Sequence, residues 1–462
     1  MTTGGKFRHA PSLLLWLAAA ACVCVQTLLP GYIGIANNGD FGKVYAWLCL
    51  APRPPETNFT FVQPEYLWSA RNCWNSPYHS SESLLAWLAT HLAGATHEGA
   101  AFDIRWLGAV HAVLCLTALA ILLWTLRGRI APAILPFLIF TDVCYTAYFN
   151  SFYMDAASLC GLLLMAASGI ALLTTPRPAF ALALFTLAAL LFVTSKSQHA
   201  IWAILPAALL LTDRRTMARA AAAAAILLAG VLMLANTDGA YRGQALFNVI
   251  FFRVAPAVAP NGADLTTLGV QPAEFQYAGK HAYMEAVPAA DRAWAEAFGK
   301  RTGFGRLLKW YATHPATAAQ FLTQTLKEGA PEIRPENLSN FRQSQAQPPG
   351  ARTNRFAAWS NLRTWLLKSW PWHLPLWYAV YLVACLRSHS PLRYLALGCA
   401  LLGMGEFTMA ALGDALDAGR HLFLFQAATD LTACFALSGI SRRLVQAIAA
   451  RQSLFLVRRA QS

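Results

Sequence analysis

Four short clusters carry residue types that could do chemistry. The first is Asn37-Asn38-Gly39-Asp40-Phe41-Gly42. Its glycines permit a tight turn and close approach of a ligand. A carboxylate there can act as a general base or as a metal ligand, although Asn-Gly-Asp is equally good chemistry for a plain turn. The second, Tyr148-Phe149-Asn150-Ser151-Phe152-Tyr153-Met154-Asp155, is aromatic with one acid. Aromatics belong at a membrane interface, and Asp155 is either a site residue or an N-terminal helix acid favoured by the helix dipole. The third, Thr194-Ser195-Lys196-Ser197-Gln198-His199, sets a lysine beside hydroxyl, amide and imidazole groups. That set suits a phosphate or a lysine snorkelling to the interface. The fourth holds Asp414, Asp417, Gly419, Arg420 and His421. There Arg420 and His421 grip a phosphate, or an Asp–Arg pair caps a helix.

The elements that must position these groups follow from composition. Of 462 residues, 56% are hydrophobic and 13% are charged, and the mean hydropathy is +0.41. An ordinary soluble domain carries about 25% charged residues, so the chain reads as a membrane protein. A membrane helix needs about 20 mostly apolar residues. Ten stretches qualify, near 12–36, 106–126, 131–149, 155–173, 178–194, 199–212, 218–236, 371–387, 391–412 and 420–440. The expected fold is therefore an all-α polytopic bundle.

The net charge of +14 would suggest nucleic acid until it is mapped onto that topology. With the N-terminus inside, the inner segments hold Lys6, Arg8, Arg127, Arg129, Arg177, Arg214, Arg215, Arg219, Arg387, Arg393, Arg442, Arg443, Arg451, Arg458 and Arg459 against Asp213 alone. The remaining Lys/Arg and Asp/Glu cancel, so all the net charge obeys the positive-inside rule. A nucleic-acid partner is excluded. Both termini are expected in the cytoplasm, and the two large loops, 37–105 and 237–370, on the outer side. The basic start followed by a long apolar run reads as an uncleaved anchor, although Ala19-Ala20-Ala21-Cys22 faintly resembles a lipoprotein box.

On this topology Asp40, Asp155, Lys196, Arg420 and His421 fall at one depth on the outer side. Carboxylates and cations gathered there suggest a site for an anionic, membrane-embedded substrate. Within the first loop, Ser81–Ala89 has leucines and a tryptophan spaced for an amphipathic helix along the interface. In the second loop, Phe304–Lys327 has helical periodicity broken at His314-Pro315, Asn337–Asn354 reads as a mobile connection or lid, and Phe356–Trp370 runs along the membrane. Cys49 and Cys73, the two cysteines of ten in an outer loop, can pair in an oxidising compartment or stay as thiols. Asp142, Glu406 and Asp430 lie within apolar stretches, where an acid faces a cavity or a helix–helix contact.

The acid after the first span, the second acid after the third and the large outer loops resemble the membrane-embedded (C-type, GT-C) glycosyltransferases. Asn37-Asn38-Gly39-Asp40-Phe41 and Tyr148-Phe149-Asn150-Ser151-Phe152-Tyr153 resemble sequences of bacterial surface-glycan (S-layer type) hexose transferases. Ser195-Lys196-Ser197-Gln198, His314-Pro315 and Arg420-His421 are similar to the same group. The resemblance implies about ten spans, interfacial helices in the first outer loop and an outer cap. It implies transfer of a hexose or pentose from a polyprenyl-phosphate donor to a glycan or lipid acceptor; the inside-basic pattern and the cysteine usage fit a bacterial inner membrane with the site on the periplasmic face. Asp40 matches the catalytic acid. The substrate-binding set it implies is Asn37, Asn38, Asn150, Tyr153, Asp155, Lys196, Gln198, His199, Arg420 and His421. A divalent cation, Mg or Mn, would fall to Asp40 and Asp155, but the second site is a single Asp and the sequence does not require a metal. A single base without a carboxylate nucleophile favours inversion, by analogy with hydrolases.

The chain divides into a catalytic membrane module at 1–236, an outer cap at 237–370 and a C-terminal membrane segment at 371–462. A transporter or lipid flippase, drawing on Asp142, Glu406 and Asp430, is the alternative, although no inverted halves are visible. A polymerase or ligase using a diphosphate lipid is a third reading.

Overall fold

The computed structural model describes residues 10–55, 57–74, 78–125, 130–174, 178–212, 216–258 and 262–439. The cytoplasmic charge pattern rests mostly on residues outside these: Lys6, Arg8, Arg127, Arg129, Arg177, Asp213, Arg214, Arg215, Arg442, Arg443, Arg451, Arg458 and Arg459.

The chain is mostly helical. Among the described residues five helices are each long and apolar enough to cross a membrane: Ala10–Thr27, Arg105–Thr125, Asp155–Thr174, Met217–Ala235 and Leu392–Gly413. A helix pair, Ala133–Phe140 and Val143–Asn150, bent by 47°, passes the same test when taken together, as a broken span or a re-entrant loop. Three further apolar helices, Ala179–Val193, Ser197–Leu211 and His373–Leu386, are shorter, and another helix covers 423–439. The expected helix at 199–212 opens with a 3-10 stretch, Ser197–Ala203.

The middle of the bundle is Asp155–Thr174, buried along nearly its whole length. It packs closely because it carries small residues. A Cβ at Gly161 would lie 2.7 Å from the backbone nitrogen of Phe192, so only glycine lets these two helix backbones approach so near.

The expected helix at 131–149 is broken at Asp142, which caps its second half. Asp142 Oδ1 accepts from Cys144 N–H at 3.0 Å. Its Oδ2 accepts from Trp359 and Ser360 N–H, at 2.9 and 3.0 Å, capping the helix Ala358–Ser369 as well. Asp430 is also fully engaged. It pairs with Arg363 (2.7 Å) and accepts from the Tyr145 hydroxyl (2.6 Å) and the Trp359 indole (2.8 Å). Glu406 accepts from the Trp202 indole N–H. The buried acids that sequence leaves open are thus tied to protein donors.

The first outer loop departs from an all-α reading. Leu50–Pro52, Glu65–Trp68 and Ala101–Asp103 form a three-stranded antiparallel sheet, with Ala51 opposite Leu67 and Tyr66 opposite Phe102. Strands of three or four residues are too short to show an alternating pattern. Between the last two strands lies the helix Ser81–Leu92, capped by Ser80. It buries Leu85, Ala86 and Ala89 against the bundle, yet Leu84, Trp87, Leu88 and Leu92 point outward. An outward apolar face is what an interfacial helix needs. Cys49 and Cys73 are disulfide-bonded.

The second outer loop holds its own apolar cluster, including Phe247, Phe251, Leu268, Phe298 and Trp310. The helix Arg292–Thr313 kinks at Gly303 (φ 71°) and ends at His314, and Pro315 starts the next. The 337–354 segment is not a loose lid. Gly34 and Ala36 N–H donate to the carbonyls of Asn340 (3.1 Å) and Ser339 (2.9 Å), and Val62 N–H donates to that of Phe341 (2.8 Å). The Asn340 side chain returns a bond to Gly34 O (2.9 Å). Its polar residues satisfy the backbone on either side, so low hydropathy here marks a pinned segment.

Candidate active site

The loop after the first span is shaped by its own asparagines. Asn37 Oδ1 accepts from Gly39 N–H (2.8 Å) and Phe41 N–H (3.2 Å), and Asn38 Oδ1 accepts from Asp40 N–H (3.2 Å). Gly39 sits at φ 100°, where a side chain would be strained. Tyr153 fastens this turn to the 151–155 segment. Its hydroxyl accepts from Asn38 N–H (2.9 Å) and donates to Ala36 O (3.1 Å), while its ring meets Phe41 edge-on at 4.6 Å.

The turn presents Asp40 to two cations. Lys43 Nζ lies 2.6 Å from one carboxylate oxygen and Arg420 Nη2 lies 2.8 Å from the other. Arg420 is buried and spreads its fork over three acids. Nε meets Asp417 at 2.8 Å, and Nη1 lies 4.0 Å from Asp155. Its guanidinium also stands 5.1 Å from the Tyr153 ring centroid. Asp155 pairs through Oδ1 with Lys196 at 2.6 Å, and its buried Oδ2 has no hydrogen-bond partner among the described residues. Asn38 Nδ2 donates to Asp417 (3.1 Å), and His421 meets Asp414 at 2.6 Å.

Charge is balanced in this cluster: Asp40, Asp155 and Asp417 face Lys43, Lys196 and Arg420. Burial works against ionising Asp40, but Lys43 and Arg420 outweigh it and hold the carboxyl well below the usual carboxylate range. Burial likewise opposes the Lys43 charge, and Tyr241 and Asp40 together hold the ammonium above its ordinary range. Around Lys43 stand the rings of Tyr78 (5.0 Å) and Tyr241 (4.3 Å). Tyr241 comes from the second outer loop, so Lys43 ties both outer loops to Asp40.

A divalent ion shared by Asp40 and Asp155 does not fit this arrangement. Each acid already has a cation, and Arg420 lies between them. Among the described residues no group of three or more His, Cys, Asp or Glu is placed to hold a metal.

Of the residues singled out in sequence, Asn38, Asp40, Tyr153, Asp155, Lys196 and Arg420 meet directly, with His421 beside Arg420. Asn37 shapes the turn from beneath. Asn150 is buried and donates to Thr27 O and Ile33 O, at 2.9 and 2.7 Å, as a scaffold contact. His199 is buried against Ser158 and Ser195 (3.1 and 3.0 Å) and stacks on Phe192, and Gln198 meets it at 3.3 Å. Lys43 and the two tyrosines are not evident from sequence. Only the spacing of Lys43, three residues beyond Asp40 and so one helical turn away, carries a local signal of the ion pair. Asp417 is visible in sequence as an ion-pair partner of Arg420, and that pair exists alongside the contact to Asp40.

Comparison with known proteins adds the following. Solved structures similar to this chain include the apo oligosaccharyltransferase of Archaeoglobus fulgidus, at 12% identity and a TM-score of 0.42, covering 97% of this chain and 52% of that one. The same enzyme tethered to an acceptor peptide containing the NVT sequon is 13% identical, with a TM-score of 0.41 and coverage of 94% and 50%. The A. fulgidus enzyme AglB in complex with an inhibitory peptide and a dolichol-phosphate is 14% identical, with a TM-score of 0.39 and coverage of 97% and 52%. The chain spans about half the length of these structures. No curated protein matches it. A family model described as the YfdI N-terminal transmembrane domain matches residues 5–454. With nearly its whole length covered by that model, the chain belongs to the YfdI N-terminal transmembrane domain family and is a multi-pass membrane protein.

Proposed function

We propose that this protein is an integral membrane glycosyltransferase that moves a hexose or pentose from a polyprenyl-phosphate donor to a glycan or lipid acceptor. The observation that carries the reading is Asp40 held between Lys43 and Arg420, with Asp155 and Lys196 alongside. Transfer from such a donor needs a base for the acceptor hydroxyl and positive charge for the departing phosphate. A carboxylate pinned by two cations is a weak base. An incoming phosphate competes for the same cations, and as Lys43 and Arg420 turn toward it, Asp40 recovers basicity. Donor binding thereby arms the base. Asp40 then takes the acceptor proton, the acceptor oxygen bonds to the anomeric carbon, and the bond to the phosphate oxygen breaks. Asp155 is held by Lys196 through Oδ1, and its other oxygen is buried behind Arg420, so it is not presented as a nucleophile, which supports inversion.

The same reading includes about ten spans, with the shorter apolar helices and 423–439 completing the count. It places both termini in the cytoplasm and the site on the periplasmic face of a bacterial inner membrane. It divides the chain at 1–236, 237–370 and 371–462; the separate apolar cluster within 246–321 favours the first boundary, while Leu326, Ala330, Ile333, Leu338 and Leu367 pack with the bundle. The flippase alternative rests on Asp142, Glu406 and Asp430, whose carboxylates are taken up by protein donors.

The test is sugar transfer by purified protein into membranes from a strain lacking it, using labelled polyprenyl-phosphate sugars. Wild type moves label to a glycan or lipid, and Asp40→Asn slows this about 10²- to 10⁴-fold, the usual size of a general-base contribution, while inserting and folding normally. A fully active Asp40→Asn enzyme sinks the reading.

A further inference from the structure

The turn that carries Arg420 has a second face. A Cβ at Gly419 would lie 2.8 Å from Glu332 O and 2.9 Å from the Glu332 carboxyl, so Glu332 abuts the back of the Asp417–Arg420 turn. Glu332 also lines a cavity of about 400 Å³ that does not contain Asp40. Its walls carry three acids, Glu328, Glu332 and Glu336, and three cations, Arg334, Arg352 and Lys368. Thr364 adds a hydroxyl, and Pro331 supplies an aliphatic patch.

This lining selects a ligand class. Small-molecule pockets run to roughly 300–1,000 Å³ and are usually apolar, so the size is ordinary and the polarity is not. An isoprenoid chain finds no greasy wall here. An anionic phosphate finds no surplus positive charge, because the three acids match the three cations and the arginines are held in place by protein groups. Arg334 donates to Thr353 O (2.6 Å) and Asn361 (2.7 Å), and Arg352 donates to Arg334 O (2.6 Å) and Glu336 (3.3 Å). What remains is a balanced mixture of carboxylate acceptors and fixed N–H donors. A neutral, hydroxyl-rich molecule matches it, since each hydroxyl donates to a carboxylate and accepts from an N–H. Burial, with Asp417 nearby, raises the Glu332 carboxyl above its usual range despite a bond from Glu336 N–H, which suits a group facing a neutral partner.

We propose that this cavity is a carbohydrate subsite that holds neutral sugar residues of the acceptor beside the Asp417–Arg420 turn. The proposal rests on the glycosyltransferase reading. Under it, donor phosphate and acceptor sugar lie on opposite faces of one turn.

The test uses the full-length protein in nanodiscs, a labelled polyprenyl-phosphate sugar as donor, and lipid-linked glycan extracted from membranes lacking the protein as acceptor. Initial rates are measured against each substrate, and direct glycan binding is measured in an Asp40→Asn background. Glu332→Gln, nearly isosteric, and Arg352→Gln raise the acceptor concentration for half-maximal rate about tenfold. Their donor half-saturation and melting temperature stay within twofold and a few degrees of wild type. Lys368→Leu, at the exposed rim, gives a smaller rise of the same kind and guards against a folding artefact. Unchanged acceptor dependence in these folded variants, or an equal loss on the donor side, overturns the subsite. Glycan binding that depends on Glu332, with no transfer from any donor, overturns the enzyme reading instead.

Discussion

Arg420→Lys separates charge from geometry at the site. The substitution keeps the positive charge but replaces a planar fork with a single ammonium. Arg420 makes two contacts of 2.8 Å in different directions, to Asp40 and Asp417, and approaches Asp155 with a third nitrogen. An ammonium on a lysine stem reaches one of these carboxylates, so one charge-assisted bond is lost outright. Such a bond contributes about 1.5–3 kcal/mol. Taking ~2–3 kcal/mol and about 1.36 kcal/mol per decade, kcat/KM falls about 30- to 150-fold. Because the same bonds join the turn at 417–421 to the loop at 37–43, the melting temperature drops by a few degrees as well. Arg420→Met, which removes charge and fork together, costs at least another tenfold in transfer. The assay is donor turnover in nanodiscs with thermal melts on the same preparations. An Arg420→Lys enzyme with wild-type turnover and melting would show that the guanidinium geometry is irrelevant, and the reasoning fails.

Three further outcomes follow from the same geometry. The folded carboxyl of Asp40 lies below its unfolded value of about 3.9; its ion pairs therefore stabilise fully above that pH and are lost as pH falls through the lower folded value. Asp40 accordingly adds no acid limb between pH 5 and 8 to kcat/KM, which reports the free enzyme, and an Asp40-dependent fall in kcat/KM near pH 5 would contradict the assignment. Transfer persists in EDTA because Arg420 lies between Asp40 and Asp155; abolition by EDTA with recovery on adding Mn²⁺, or a tight Mn²⁺ site seen by paramagnetic resonance in wild type, refutes this. Reducing the Cys49–Cys73 bond, which spans 24 residues, costs about 3–4 kcal/mol on the loop-closure estimate; identical melts with and without reductant would show that it contributes nothing.

Sequence alone determines what depends on composition and local spacing. The apolar runs that become Ala10–Thr27, Arg105–Thr125, Asp155–Thr174, Met217–Ala235 and Leu392–Gly413 are legible because a span's requirement is met residue by residue along the chain. The turn at Asn37–Gly42 is legible for the same reason, since its hydrogen bonds run from asparagine side chains to N–H groups two to four residues on. So is the helix at Ser81–Leu92, whose apolar face is written in the spacing of its leucines and tryptophan over Ser81–Ala89. The tertiary structure alone decides which charges meet. Arg420 and Asp40 are 380 positions apart, and no local pattern says that one guanidinium serves Asp40, Asp155 and Asp417 at once. The same limit applies to Asp142, which caps a helix more than 200 residues away, and to 337–354, whose polarity looks like looseness until its partners at Gly34, Ala36 and Val62 are in place. Burial makes such distant pairings obligatory, because a charged or backbone polar group removed from water must find a partner. Which partner it finds depends on the packing of the whole chain.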